Sequence, residues 1–389
     1  MGELNHKPQL IEAAKVYRIG VLGLGEGRSV LSAVLNSEHW ELANMCDLNE
    51  ELCRARQKEF GIAGYTTNYD DMLNDPTIDV IGIYTPDQLH GRHIIQALRA
   101  GKHVICTKPL LNNLDQAEEL RRVQAESGKH VFVGQSSRFF EPMLEQRADF
   151  EAGRHGDLLS VEAQYITDAR WFLEKAWSLK GGFSWMHNFM VHAVDLVRWY
   201  LPDLTEIFGY GITSENTTEH GLACPDTMLF LAKDSAGRAG LIRGSYTAPP
   251  LDREIEPTIS CLLRGSQGTS RAEYSKLQYA RNFNTLAKDE QPDSPEFSQN
   301  AVSSETQGPE IIDLNDRHSY YFRFEGETHN AGEYQNYIEY FARCLDNNET
   351  PYPDVEEGIG TLVILAAMEK SLASGQPIQI ADMKKELGL

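Results

Sequence analysis

An apolar strand over residues 16–22 runs directly into Gly23-Leu24-Gly25-Glu26-Gly27-Arg28-Ser29, and from there into a helix over 29–36. A strand that turns through glycines into a helix lets the backbone bend tightly and bring its N–H groups close to an anion at the helix N-terminus. The next hundred or so residues keep the same alternation. Strands over 40–47, 79–84, 103–106 and 130–134 are separated by helices over 49–60, 70–74, 89–100 and 113–127, and Gly101 and Gly128 stand where helix C-caps belong. Strands alternating with helices of this length build βαβ units and a parallel sheet. The expected fold class is α/β, beginning with a doubly wound, Rossmann-type sheet.

After about residue 139 the pattern changes. A helix over 142–152, a strand over 158–167 and a strongly apolar helix over 189–200 come first. Stretches 206–213, 227–232, 240–247 and 255–265 then alternate with period two, and Gly265-Ser266-Gln267-Gly268 reads as a hairpin turn. Residues 283–318 are rich in Asp, Ser, Gln, Asn and Pro and read as a surface excursion, and helices over 332–346 and 355–374 follow. The expected organisation is an N-terminal arm (1–15), a dinucleotide-binding Rossmann domain (16–138) and an α+β domain (139–389). The last carries a large, mostly antiparallel open sheet and serves substrate binding and oligomerisation.

The glycine loop departs from GxGxxG, because its sixth position is Arg28 and a glycine sits one place earlier. Its placement after the first strand and before a helix still points to a pyrophosphate. Asp47 ends the second strand, about twenty residues on, where an acid bonds the ribose hydroxyls of NAD. The same carboxylate repels the 2′-phosphate of NADP, so NAD is the expected cofactor and NADP the less favoured one. Arg28 works against that preference, since a guanidinium there suits either phosphate. The six cysteines are scattered without a CxxC pair or metal spacing, which fits a reducing cytoplasm and no metal. A formal net charge of −21 argues against nucleic acid and anionic membrane as partners.

Three further segments carry a family resemblance. They are Tyr84-Thr85-Pro86-Asp87-Gln88-Leu89-His90 with Ala100-Gly101-Lys102-His103-Val104-Ile105-Cys106-Thr107-Lys108-Pro109-Leu110; Gly134-Gln135-Ser136-Ser137-Arg138-Phe139; and Gly181-Gly182-Phe183-Ser184-Trp185-Met186-His187-Asn188-Phe189-Met190-Val191-His192-Ala193-Val194-Asp195-Leu196. In order and spacing the chain resembles the glucose–fructose oxidoreductase/inositol dehydrogenase/MocA (Gfo/Idh/MocA) family through to Ser371-Leu372-Ala373-Ser374-Gly375-Gln376-Pro377-Ile378. The resemblance implies that Gly23, Gly25, Glu26, Gly27, Arg28, Ser29 and Asp47 hold the dinucleotide. It implies that Thr85, Pro86 and His90 pass its nicotinamide end, with Lys108, Pro109 and Gln135 beside them. The family's Glu-Lys-Pro motif falls on Thr107-Lys108-Pro109, making Lys108 the active-site lysine. Its Asp-x-x-x-His motif falls on Asn188 to His192, making His192 the proton acceptor. Thr107 and Asn188 are departures, each replacing a carboxylate. The open sheet of this family implies a homo-oligomer, a dimer or a higher even assembly.

The chemistry read from the residues agrees. Oxidising a secondary alcohol needs a hydride acceptor on one side of the carbon and a base within hydrogen-bond reach of the hydroxyl. Histidine titrates near neutrality, and a lysine in a desolvated pocket has its pKa lowered. Asn188 and His192, four apart on a helix, face the same side; asparagine can bond a sugar oxygen but cannot take its proton. Arg170, Trp171, Trp177 and Lys180 precede the paired glycines and offer aromatic faces and cations to a sugar, although the tryptophans serve equally as packing anchors. His187 and Arg138 are further substrate contacts to test. Asp195 either bonds a backbone group or positions His192, and Tyr165 reads as core or sheet surface. The expected activity is NAD-dependent oxidation or reduction of a secondary hydroxyl of a sugar, glycoside or cyclitol. Two alternatives stay open: a redox-assisted glycoside lyase or hydrolase, and a non-catalytic NAD or sugar sensor.

Overall fold

The computed structural model describes residues 14–174, 183–252, 255–283, 309–315 and 332–389. Strands β1 (Tyr17–Leu22), β2 (Trp40–Cys46), β3 (Val80–Ile83), β4 (His103–Thr107) and β5 (Val131–Gly134) form a parallel sheet in the order β2-β1-β3-β4-β5. Their apolar side chains are buried on both faces, which is why the strands read as near-continuous apolar runs. The two faces belong to two core clusters. Val30, Leu31 and Val34 of helix Gly27–Asn36 pack with Ile19 and Val21 in one. Ile94, Ile95 and Leu98 of helix His90–Arg99 and Leu120 and Val123 of helix Ala117–Ser127 pack in the other. Chain direction across the sheet reverses between β1 and β3, so a crevice opens beyond their carboxyl ends. Gly23 and Thr85 stand there.

The second sheet has nine strands: β6 (Leu158–Ile166), β7 (Leu204–Ile212), β8 (Thr227–Asp234), β9 (Ala239–Ser245), β10 (Ile259–Gly265), β11 (Gly268–Tyr274), β12 (Gln278–Phe283), β13 (Glu310–Asp313) and β14 (Ile378–Gln379). Its order is β13-β12-β11-β10-β6-β9-β8-β7-β14, and only the β6/β9 pair is parallel. β10 and β11 form the hairpin expected at 265–268, with Arg264 opposite Thr269. β8 shows the cause of the period-two signal: Met228, Phe230 and Ala232 are buried while Leu229 and Leu231 face outward. Helix Val191–Tyr200 lies on the inner face with every residue buried.

Of the elements that differ from the sequence expectation, four have a clear physical reason or a consequence for packing. β10 begins at Ile259, not 255, because Ile255 is exposed and Pro257 offers the ladder no N–H. The expected 283–318 excursion contains β13, an added edge strand whose Ile312 pairs with Tyr279. Helical winding in front of Val191 starts at Met186, and its first turn is a π-turn in which the Val191 N–H reaches the Met186 carbonyl. Finally, helix Glu333–Asn347 packs on the first sheet, not the second: Tyr334, Tyr337, Ile338 and Phe341 join the cluster of Ile19, Leu31 and Phe132. No helix among the described residues is long and apolar enough to cross a membrane.

Candidate active site

The glycine loop is shaped by its neighbours. Gly23 has φ of +88°, and a Cβ there would stand 2.6 Å from the backbone carbon and oxygen of Tyr84. Only glycine lets β1 leave the sheet this close to the end of β3. Above Gly25, by contrast, no described atom lies within 4 Å of a Cβ position, so the loop presents open backbone at the start of helix Gly27–Asn36. The Asp47 carboxylate accepts from the Leu24 N–H at 2.8 Å and from the Asn49 N–H at 2.9 Å, tying the loop to the end of β2. Each carboxylate oxygen keeps acceptor capacity for a ribose hydroxyl. Arg28 pairs with Glu59 at 2.6 Å, and Arg56 reaches both Glu59 (2.7 Å) and the Leu24 carbonyl (3.0 Å). The cation expected to meet a phosphate is therefore already engaged by an acid on helix Glu50–Phe60.

The far end of the chain braces the same loop. Tyr334 donates to the Glu26 carboxylate at 2.6 Å, and the Tyr84 and Tyr337 hydroxyls are hydrogen-bonded to each other. His90 lies beneath, its ring nitrogens each 2.7 Å from a carbonyl, Pro109 on one side and Thr85 on the other. It joins the loop after β3 to the loop after β4, and burial lowers its pKa. The Thr85 hydroxyl is itself taken by His93 at 3.1 Å. Gln135, at the end of β5, is buried, and its side-chain oxygen meets no partner among the described residues. A bent loop held open over Gly25, an acid at the end of β2 and an unpartnered buried amide oxygen beyond β5 fit a dinucleotide laid across the carboxyl ends of the strands.

Lys108, at the end of β4, is half-buried and donates to the main-chain carbonyl of Asn188. Its ammonium stands 5.9 Å from the centre of the Phe189 ring. Burial lowers the lysine pKa, and the charges of Glu26 and Asp87 oppose that shift. His192 is buried, and its Nδ1 lies 2.7 Å from the Ser137 hydroxyl. Its pKa falls well below 6.5, first through burial and then through the charge of Lys108. Tyr165 meets the His192 ring edge-on, with centroids 5.3 Å apart. Phe189, Phe172 and Phe183 continue an aromatic wall, with centroids 5.3 and 5.6 Å apart along it. Lys108 and His192 thus come together from the first sheet and from the helix on the second. Asn188 contributes its backbone, and no described residue bonds its side-chain amide.

The other expected contacts fall elsewhere. Arg138 is buried and grips Asp195 with two bonds of 2.6 and 2.7 Å, between the rings of Trp199 and Tyr352. Among the described residues Asp195 therefore bonds neither a backbone group nor His192, and Arg138 faces the protein interior. His187 stands 3.4 Å from Glu369 of helix Val355–Ser374. Arg170 is paired with Asp168 at 2.6 Å, and Trp171 is half exposed. Trp177, Lys180, Gly181 and Gly182 lie outside the described residues. Two contacts had no signal in the spacing: Ser137, recognisable only as part of Gln135-Ser136-Ser137-Arg138, and Tyr165, which the sequence reads as core or sheet surface. No cluster of three potential metal ligands occurs among the described residues.

Comparison with known proteins agrees in both halves of the chain. A family model described as an oxidoreductase family with an NAD-binding Rossmann fold matches residues 17–135. Its companion, the C-terminal alpha/beta domain of the same oxidoreductase family, matches residues 150–380. The 1-carboxy-3-chloro-3,4-dihydroxycyclohexa-1,5-diene dehydrogenase of Comamonas testosteroni is 28% identical over 184 residues, 46% of each chain, so the match spans about half of that relative. The scyllo-inositol 2-dehydrogenase (NAD(+)) of Bacillus subtilis is 24% identical over 85% of this chain and 86% of its own. Among solved structures, levoglucosan dehydrogenase in complex with NADH and levoglucosan superposes with a TM-score of 0.75 at 17% identity, covering 94% of this chain and 100% of the other.

Proposed function

The chain belongs to the Gfo/Idh/MocA oxidoreductase family, and from that premise we propose that it oxidises or reduces a secondary hydroxyl of a sugar, glycoside or cyclitol, with NAD as cofactor. Its family relatives are named dehydrogenases of cyclic polyols and sugars, among them scyllo-inositol and levoglucosan. The observation that carries the reading is the convergence of Lys108 and His192, two groups able to move or hold a proton, beyond the strand ends beside the glycine loop. Bound NAD supplies the hydride acceptor or donor. The chain's own residues do the rest. Asp47 would favour NAD by repelling a further phosphate charge, and the buried, unpartnered oxygen of Gln135 would be available to an N–H of the carboxamide. Lys108 and His192 manage the proton of the reacting hydroxyl, the Asn188 amide is available to a neighbouring sugar oxygen, and Phe189 with Tyr165 offers apolar ring faces to sugar C–H groups.

The test is the absorbance of the purified protein in the reduced-nicotinamide band after adding NAD and a panel of sugars and polyols. A ketone formed in step with reduced nicotinamide supports a dehydrogenase. Release of a glycoside's leaving group without net reduction would move the assignment to redox-assisted elimination, and tight NAD binding with no turnover on any of the panel would make it a sensor. We also propose self-association through the second sheet. Tyr210 and Leu229 are directly opposed on its outer face, and with Ile212 and Leu231 they are 50–69% exposed. Light scattering coupled to size exclusion tests this.

A further inference from the structure

The two groups that manage the proton differ in what surrounds them. Among the described residues His192 has one hydrogen bond, between its Nδ1 and the Ser137 hydroxyl at 2.7 Å, and both partners are buried. A hydroxyl either donates or accepts, and the choice decides which ring nitrogen carries hydrogen, since a neutral imidazole has one N–H. Ser137 is 1% exposed and meets no second acceptor among the described residues. Were Nδ1 the donor, the serine hydrogen would be buried without a partner, and buried donors are paired. With serine donating, its hydrogen and the Nδ1 lone pair are satisfied together. The hydrogen of the ring then sits on Nε2.

Resting on the function proposed above, we infer that Ser137 fixes His192 as its Nε2–H tautomer, so that His192 donates a hydrogen bond to the reacting oxygen and Lys108 takes the proton. Ser137 is a positioning residue in this scheme. A second proton on His192 is opposed by its burial and by the neighbouring lysine. Lys108 gives one N–H to the Asn188 carbonyl, and in its uncharged form the nitrogen lone pair remains for a substrate proton. In the oxidising direction the substrate O–H breaks and a new N–H forms at Lys108 Nζ. The C–H departs with its electron pair to the nicotinamide, so the carbon is oxidised as that ring is reduced. His192 keeps its Nε2–H throughout and stabilises the oxygen as charge grows on it. The ammonium then gives its proton to water. The charged and titratable groups near Lys108 are Glu26, Asp87, His90 and His192.

The decisive measurement is the nitrogen spectrum of full-length protein labelled with [15N]histidine, with His192→Gln used to assign the His192 signals. The expected result is a protonated, pyrrole-type Nε2 and an unprotonated, pyridine-type Nδ1, with and without NAD. The reverse assignment overturns the inference. Ser137→Ala should mix the two forms and lower turnover about tenfold, with KM for the sugar that gives the largest absorbance change held within about threefold; Ser137→Thr should restore both. An unaltered tautomer and unaltered turnover in Ser137→Ala would also overturn it. Failure of the underlying reading looks different. Wild-type turnover in both Lys108→Ala and His192→Ala would remove the site itself, whereas a reversed tautomer in a protein that needs both residues would sink only the division of labour.

Discussion

The loop proposed to hold the cofactor and the site proposed to handle the proton lie side by side but are built in opposite ways. The loop is local: β1, Gly23 to Ser29 and Asp47 span about thirty residues, and short bonds such as that from the Leu24 N–H to the Asp47 carboxylate hold them. The other site is gathered from four separate stretches, at Lys108, Ser137, Tyr165 and 188–192, which meet only when the two sheets meet. A local site tolerates loosening elsewhere, and a gathered one depends on whatever clamps its parts. The clamp here is the buried Arg138–Asp195 pair, one residue from Ser137 and three from His192. Cutting it should have the largest effect. Asp195→Ala leaves an uncompensated buried guanidinium, with Glu357 3.6 Å away as partial relief, and should cost about 3–5 kcal/mol in denaturant unfolding. Folded Asp195→Ala should still bind NAD normally while losing turnover. An unchanged unfolding midpoint, or a parallel loss of NAD affinity, would break the contrast.

Next in size, Lys108→Ala and His192→Ala should each lower turnover about a hundredfold and leave the calorimetric NAD affinity within about threefold. The pH profile sharpens this. Lys108 must be uncharged to accept a proton, and burial lowers its pKa from 10.5. Oxidation should therefore rise with pH through that lowered value, with its midpoint below 10.5. If His192 were the acceptor instead, its depressed pKa would put the rise well below pH 6.5.

The same contrast explains how much could be read from the sequence. Strand–loop–helix order, the glycines and Asp47 are near in sequence and near in space, so spacing alone singled out the loop to which the proposed function gives the cofactor. Period two located β7 to β10 of the second sheet, because one face is buried, and left β12 to β14 unread. Lys108 and His192 were legible only through family resemblance, since nothing in 108 or 192 taken alone says that they meet. Ser137 and Tyr165 were not legible, because each acquires its meaning from a partner 55 or 27 residues away. By its place in the chain, helix Glu333–Asn347 reads as a late helix of the second domain. Its apolar stripe could not state which sheet it covers. The sequence offers Arg138 as a substrate contact and Asp195 as a backbone partner or positioner of His192, but the two charges satisfy each other, which only burial reveals.

Smaller effects probe the local site. Gly23→Ala places a Cβ 2.6 Å from the Tyr84 carbonyl in a positive-φ position, and should cost about 1–3 kcal/mol in stability and weaken NAD about tenfold. Asp47→Ala should shift the ratio of NAD to NADP affinity by about tenfold toward NADP. An unchanged ratio would pass discrimination to Arg28 and Arg56, both now held by Glu59.

The smallest expected effect tests whether the cofactor loop is as local as it looks. Tyr334 reaches Glu26 from 308 residues away, farther along the chain than the loop's side-chain hydrogen bonds with Asp47, Arg56 and Glu59, which come from within about 32 positions. Tyr334→Phe removes a single hydroxyl from an exposed carboxylate, so NAD affinity should weaken by only about threefold. Glu26→Gln should act in the opposite sense, since a neutral amide beside the helix N-terminus no longer repels a pyrophosphate. Opposite signs in the two variants, read by calorimetry, mean that Tyr334 serves to draw the Glu26 charge aside. A loss in Tyr334→Phe larger than the loss in Asp47→Ala would mean that the far end of the chain, and not the strand–turn–helix itself, holds the loop in its binding shape.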